Sequence, residues 1–201
     1  MTGQTWIISI ISVVFIVFTA SAATIHIPGD YPTFQAAVDA AQPGDTILVA
    51  DGVYSGSGNF DISCYKDLTF KSENGPANCT IDPQQFGRAI DLYNSDAAVH
   101  LEGFTYRNCR YVSPMGRAVG GAIHGNNELT LDSCIFYNNT VEVGSGEDNA
   151  GGGAVYLANR VTNCVFYENT ASADTYSYGG ALASVTHIEN CTFLNNNAEV
   201  D

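Results

Sequence analysis

One recurring block along the second half of the chain limits the folds open to it. Gly120-Gly-Ala-Ile is followed by Leu129-Thr-Leu-Asp-Ser-Cys134-Ile-Phe136-Tyr-Asn-Asn139-Thr. Gly152-Gly-Ala-Val is followed by Arg160-Val-Thr-Asn-Cys164-Val-Phe166-Tyr-Glu-Asn169-Thr, and Gly179-Gly-Ala-Leu by His187-Ile-Glu-Asn-Cys191-Thr-Phe193-Leu-Asn-Asn196-Asn. A fainter copy, Gly87-Arg-Ala-Ile90 with Val99, Leu101, Phe104, Tyr106 and Asn108, precedes them. The step from Cys134 to Cys164 is 30 residues and that from Cys164 to Cys191 is 27, inside the range of about 20 to 50 residues that solenoid repeats occupy. Within each copy apolar residues alternate, as in Leu129-x-Leu131 and Cys134-x-Phe136, which is the period of a strand and not of a helix. Short strands broken by Gly-Gly and Asn-rich turns, repeated once per coil, wind into a tube whose strands pair with their equivalents one coil away. The expected fold class is all-β, a right-handed parallel β-helix.

Neighbouring coils of such a tube lie about 4.8 Å apart, so equivalent residues stack upon themselves. Cys134, Cys164 and Cys191 are expected to form one inward column, Phe136, Phe166 and Phe193 a second, and Asn139, Asn169 and Asn196 a third. Asparagines suit a turn because each amide can donate to the one stacked beside it. The pairs Gly120-Gly121, Gly152-Gly153 and Gly179-Gly180, each followed by a small residue (Ala122, Ala154, Ala181), supply a corner where positive φ or close backbone approach is needed. The irregular stretches Val141 to Ala150 and Ala171 to Tyr178 carry the length differences and are expected to protrude as loops.

The segment before the repeats follows another logic. Thr24-Ile-His-Ile-Pro28 reads as a strand, and Thr33 can cap a short helix in which Phe34, Ala37, Val38 and Ala41 share one face. Pro43-Gly-Asp45 ends that helix, and Ile47-Leu-Val-Ala50 restarts a strand. An amphipathic helix with one apolar stripe needs an apolar surface to cover, and the open end of a β-solenoid offers one. Earlier still, Trp6 to Ala20 is an apolar run ending in the small residues Ser21-Ala-Ala23, the pattern of a secretory signal over residues 1–23. No Lys or Arg precedes the run, so an uncleaved anchor stays open as the alternative. The division expected is a signal over 1–23, an N-terminal cap and first coil over 24–60, and repeats over 61–201. The last repeat stops without a visible C-terminal cap, so truncation is expected.

Lys and Arg number 7 against 21 Asp and Glu, for a formal charge of -14. That balance repels a polyanion, and nucleic acid is not expected as a partner. Six cysteines in an exported chain permit three disulfides, yet three of them share one repeated slot, which favours buried small side chains over a disulfide framework. There is no Cys-x-x-Cys pair, and neither a metal site nor a cofactor is expected.

The opening Ile-Pro-x-x-Tyr-Pro-Thr-Phe-Gln-Ala-Ala-Val-x-Ala-Ala, with Gly44-Asp-Thr-Ile and Gly52-Val-Tyr54, resembles the cap and first coil of pectin-lyase-like β-helix proteins. The Gly-Gly-Ala and Phe-x-x-Asn elements are similar to the repeats of chlamydial polymorphic outer-membrane proteins. The first resemblance implies polysaccharide-acting enzymes, the second non-catalytic surface adhesins; the fold by itself selects neither. No catalytic constellation is recoverable. Asp91, Asp96 and Glu102 are close in sequence but have no partners in their columns; Asp132 and Glu189 occupy partly matching slots interrupted by Thr162 or Asn163. His124 is a lone histidine beside a turn. The tyrosines Tyr106, Tyr111, Tyr137, Tyr156, Tyr167, Tyr176 and Tyr178 are dense, and Tyr137 and Tyr167 should face outward, either to bind or simply to stabilise a sheet. Asn-x-Thr matches at Asn78, Asn138 and Asn190 are by-products of the repeat. The expectation is an exported β-helix module for surface adhesion or binding, secreted or at the cell surface. Its partner would be a glycan or a cell-surface protein, and the membrane would be met only through an uncleaved signal. The alternative is a polysaccharide-acting lyase or hydrolase.

Overall fold

The computed structural model describes residues 21–114, 116–144 and 149–200. The apolar run Trp6 to Ala20, on which the expected signal rests, lies outside the described residues. The chain is an all-β parallel solenoid of about 5 turns, and every strand pairing among the described residues is parallel. The largest sheet holds two ladders. One stacks Thr24–Ile27, Thr46–Val49, Leu68–Ser72, Val99–Glu102 and Thr130–Asp132; the other stacks Ile62–Ser63, Ile90–Asp91 and Ile123–His124. Both run into the long strand Val155–Thr162, which pairs with Leu182–Glu189. A second sheet stacks Gly52–Tyr54, Cys79–Ile81, Thr105–Arg107, Ile135–Tyr137, Val165–Tyr167 and Thr192–Leu194.

Alternation decides which residues fill the tube. Leu68, Phe70, Val99, Leu101, Leu131, Val161, Ile81, Tyr106, Phe136 and Phe166 point inward and are buried, while their neighbours along each strand face out. Phe136 pairs with Phe166 and Phe166 with Phe193. Their rings stack with centroids 4.7 Å and 5.1 Å apart, and Tyr106 extends the column one coil further at 4.9 Å from Phe136. The asparagines form a hydrogen-bonded ladder: Asn139 Nδ2 donates to Asn169 Oδ1 (2.9 Å) and Asn169 Nδ2 to Asn196 Oδ1 (2.8 Å). Cys134, Cys164 and Cys191 follow one another on successive coils; the Cys134 N–H donates to Cys164 Sγ at 3.4 Å, and all six thiols are free. The adjacent Cys134 thiol and burial push the Cys164 thiol up, and burial pushes Cys79 up to about 12. These are packing groups, not reactive thiolates.

Among the described residues, the two stretches expected to protrude as loops are instead largely strand. Arg110–Ser113, Thr140–Val143, Thr170–Ala173 and Asn197–Val200 make one parallel sheet, and Arg117–Val119, Asn149–Gly151 and Tyr176–Tyr178 make another. Their facing residues Ala118, Val141, Val143, Ala150, Ala171 and Ala173 enclose a second small core beside the main one. Each coil from Arg110 onward thus carries a β-arch, and the arches stack. The reason is the same alternation, written in Val and Ala rather than in large residues.

The glycine pairs join each arch to the tube. Gly120, Gly152 and Gly179 have φ of 65°, 69° and 61°, the left-handed region. The second glycine is constrained sterically: a Cβ on Gly121 would overlap the carbonyl oxygens of Gly153 and Thr140, and one on Gly153 those of Gly180 and Thr170.

The helix Phe34–Ala40 starts at Thr33, whose hydroxyl accepts from the Ala36 N–H at 3.3 Å. Phe34, Ala37 and Val38 are buried in the main core, Phe34 lying 5.3 Å edge-on to Tyr54. The Gln35 side chain pairs with the edge of Ile62–Ser63: its Oε1 accepts from Ser63 N–H (3.0 Å) and its Nε2 donates to Ser63 O (3.2 Å). Lys66 Nζ donates to the carbonyls of Val38, Asp39 and Ala41, satisfying the end of the helix.

Candidate functional site

Cross-coil register assembles the site. Ser63 pairs with Asp91, Asp91 with His124, His124 with Tyr156 and Tyr156 with Ala183, so these outward residues rise in one column. The arch stack faces it with Tyr111, Arg117 and Val119, and between the two lies a cavity of ≈ 390 Å³ lined also by Arg88, Asp91, Tyr93, His124 and Tyr156. It shares Tyr93, Arg117, His124 and Tyr156 with a second cavity of ≈ 550 Å³. That second space opens where the two ladders have not yet merged, and residues 92–96 and 125–128 rim it. The rim is tied down by buried hydrogen bonds: Ser95 Oγ donates to Cys64 O (2.8 Å), and Asn126 Nδ2 to Ser95 O (2.8 Å) and Ala97 O (2.9 Å). On the other side a third space of ≈ 590 Å³, with Asp61 and Phe86 in its wall, shares Arg88, Asp91 and Tyr111. The three form one extended cleft.

Arg88 holds the slot that Gly121, Gly153 and Gly180 take in later coils. In the upper arches the carbonyls of Gly151 and Gly152 accept from Gly120 and Gly121 of the coil below. The equivalent carbonyls of the lowest arch, Val119 and Gly120, accept from Arg88 instead, at 2.7 Å and 2.8 Å. The guanidinium also lies 3.4 Å from the Tyr111 ring centroid and 3.1 Å from Asp91 Oδ2. Arg88 therefore seals the open edge of the arch stack and fixes Asp91, whose Oδ1 accepts from the Tyr93 N–H at 2.9 Å.

His124 Nδ1 stands 3.5 Å from Asp91 Oδ1. Its ring is mostly buried between Tyr93 (centroids 5.3 Å) and Tyr156 (5.8 Å). Burial, then the Arg88 and Arg117 guanidinium groups, lower its pKa below the ordinary 6.5 against the opposing pull of Asp91, which keeps the imidazole neutral at neutral pH. Arg117 donates to the hydroxyls of Tyr156 and Tyr178 (2.7 Å to the latter) and lies 4.6 Å over the Tyr156 ring. Its setting differs from that of the other cations. Lys71, Arg88, Arg107, Arg110 and Arg160 pair with Glu102, Asp91, Asp82, Glu142 and Glu189, and Lys66 caps the helix. Among the described residues Arg117 has phenols and no carboxylate against it.

The acidic residues named from the sequence fall in two places: Asp91 and Asp96 by the cleft, and Glu102, Asp132 and Glu189 in one column of the other ladder. Asp91 faces the cleft and Asp96 the ≈ 550 Å³ cavity, while Glu102, expected to have no partner in its column, stands in register beside Asp132 on the other ladder and is bound to Lys71 at 2.8 Å. Asp132 and Glu189 fall in one column with Thr162 between them; Thr162 donates to Asp132 at 2.7 Å and Glu189 pairs with Arg160 at 2.6 Å. Among the described residues no three potential ligands gather as a metal site. The tyrosines divide by place: Tyr106 is in the core, Tyr137 and Tyr167 stack on each other at 4.3 Å, and Tyr111, Tyr156 and Tyr178 serve the cleft. Rings stacked face to face offer a ligand only their edges, so Tyr137 and Tyr167 chiefly brace the sheet.

His124, read from the sequence as lacking a carboxylate partner and a cleft, has both. Aligning Ala89-Ile-Asp91 with Ala122-Ile-His124 and Ala154-Val-Tyr156 would have placed them side by side. Tyr93 and Arg117 carry no repeat signal, and Arg88 breaks the repeat at its glycine. In comparisons with known proteins, no family model, no curated protein and no solved structure matches the chain.

Proposed function

We propose that this chain is an exported module that binds glycan at the cell surface through the cleft between the His124 column and the arch stack. In this reading the tube winds right-handed like the pectin-lyase-like and polymorphic outer-membrane proteins it resembles, the helix Phe34–Ala40 closes its N-terminal end, and a signal over residues 1–23 directs export. The observation that carries the proposal is the lining of the cleft: Tyr93, exposed by 61%, and Tyr156 offer ring surface beside fixed polar groups from His124 and Arg117. Aromatic faces stack on the C–H faces of sugar rings while a few placed polar groups set orientation. Three cavities in a row, each sharing walls with the next, suit an extended polymer better than a compact metabolite. The test is retention of the purified chain on a panel of immobilised acidic and neutral polysaccharides. Tyr93→Ala and Tyr156→Ala should each weaken retention by about tenfold, since an aromatic stacking partner contributes about 1 kcal/mol or more; retention unchanged in both would refute it.

A second reading, a polysaccharide-acting enzyme, is favoured by one observation, the pairing of Asp91 with a neutral, partly buried His124. Such a pair can accept a proton at Nε2 while the carboxylate steadies the imidazolium. Release of new reducing ends or unsaturated products, with and without calcium, and its loss in His124→Gln, would establish this reading over binding alone.

A further inference from the structure

The ≈ 550 Å³ cavity carries opposite charges that do not meet. Arg117 stands at one side, held by the hydroxyls of Tyr156 and Tyr178. Asp96 and Glu128 stand on the rim formed by residues 92–96 and 125–128, and neither makes an ion pair among the described residues. Were Arg117 within about 4 Å of either carboxylate, the pair would close on itself. Instead Arg117, Asp96 and Glu128 line the same space without pairing with one another, together with the Tyr93 and Tyr156 rings and the imidazole of His124. The rest of the surface makes this arrangement specific. In a chain of charge -14 a cation that meets neither a carboxylate nor backbone carbonyls among the described residues is the uncommon element, and Arg117 is such a cation in this cavity.

We infer that the cavity selects a zwitterionic glycan, one whose repeating unit bears both a carboxylate and a free amine: the carboxylate meets Arg117, the ammonium meets Asp96 and Glu128, and the sugar rings lie along Tyr93 and Tyr156. A guanidinium recognises a carboxylate by paired N–H donors, and its two phenol partners hold it in place beforehand, so less side-chain entropy is lost on binding. A purely anionic polymer gains the Arg117 contact but meets repulsion at the rim; a purely cationic one gains the rim and leaves Arg117 unmatched. Discrimination therefore comes from both ends at once. This inference rests on the glycan-binding reading and narrows it.

The experiment is isothermal titration of the full chain at low salt and pH 6 with three oligosaccharides of equal length. The first is N-deacetylated hyaluronan, in which glucosamine alternates with glucuronate; the others are its N-acetylated parent and chitosan. The expected result is about tenfold tighter binding of the first than of either other, with Arg117→Gln abolishing the preference over chitosan and Asp96→Asn with Glu128→Gln abolishing the preference over the N-acetylated parent. These three residues lie at the surface, so the folded state survives, as circular dichroism should verify. Equal binding of all three sugars, or preferences unaltered in the variants, overturns the inference and leaves the glycan reading standing. Binding of none, together with failure to be retained on any polysaccharide, overturns both.

Discussion

The asparagine ladder permits a quantitative test of the fold. Asn139 is fully buried, and its amide joins three coils: Oδ1 accepts from the Cys109 N–H (3.0 Å), while Nδ2 donates to Tyr106 O (3.0 Å) and Asn169 Oδ1 (2.9 Å). Asn139→Ala leaves the Cys109 donor and the Tyr106 acceptor without that partner in a site water does not reach. At about 1–3 kcal/mol for each orphaned group, the expected loss is about 4 kcal/mol. For a domain of this size that lowers Tm by on the order of 10 °C. Asn196→Ala supplies the comparison: it occupies the same column but is only half-buried, so water can replace its bonds and the loss should be about 1 kcal/mol. Asn139→Asp keeps the shape and the acceptor toward Cys109, but puts a second oxygen opposite Tyr106 O and Asn169 Oδ1, and should cost at least as much as Ala at pH 7. Urea unfolding followed by far-ultraviolet circular dichroism reads all three. Equal losses for Asn139→Ala and Asn196→Ala, or a loss under about 1 kcal/mol at Asn139, would refute the buried-ladder argument.

Other expectations follow from single contacts. Gly153→Ala drives a methyl into the carbonyls of Gly180 and Thr170 and should destabilise by about 3 kcal/mol; Gly144→Ala, whose nearest neighbour would be at 3.5 Å, should be tolerated in the same melt. Tyr106 is buried with a hydroxyl that has no hydrogen-bond partner among the described residues, so Tyr106→Phe should raise stability by about 1 kcal/mol in urea titration. Arg88→Met orphans the Val119 and Gly120 carbonyls and leaves Asp91 unpaired. It should cost about 3–5 kcal/mol, with hydrogen exchange rising first in Arg117–Val119. His124 titrates below 6.5 when folded, so the unfolded chain takes up the proton first, and His124 contributes a loss of stability as pH falls from 6.5 toward the folded value. His124→Gln should show a shallower decline in urea midpoint between pH 7 and pH 5 than the parent chain.

What could be read from the sequence follows from what each coil repeats. Phe136, Phe166 and Phe193 mark an inward column because packing in a tube demands like shapes at like places, and alternation around each of them declares a strand. The arches were not legible, because Val141-x-Val143 and Ala171-x-Ala173 are too short and too small to stand out from a polar, glycine-bearing stretch. Their stability comes from stacking on one another, which no single copy expresses. The site was hidden for a related reason. His124 and Asp91 belong to different coils, and they meet only if the register between coils is known. The copy that supplies Asp91 is the one in which Arg88 replaces the glycine used for alignment.

That replacement links fold to site. A stack of arches must begin somewhere, and its first member has backbone carbonyls with no arch below to donate to them. A glycine at position 88 would leave Val119 and Gly120 unsatisfied; an arginine reaches them and brings a buried positive charge, which in turn requires a carboxylate at Asp91. Asp91 then stands beneath His124 by register alone. The lower edge of the arch stack is thus where the fold demands a fixed guanidinium and carboxylate next to an open groove. Outward residues one and two coils further on, His124 and Tyr156, are freed from core packing and can vary with the ligand. A ligand cleft at this edge follows from the way the arches start, and its polar groups are held in place by the same hydrogen bonds that close the fold.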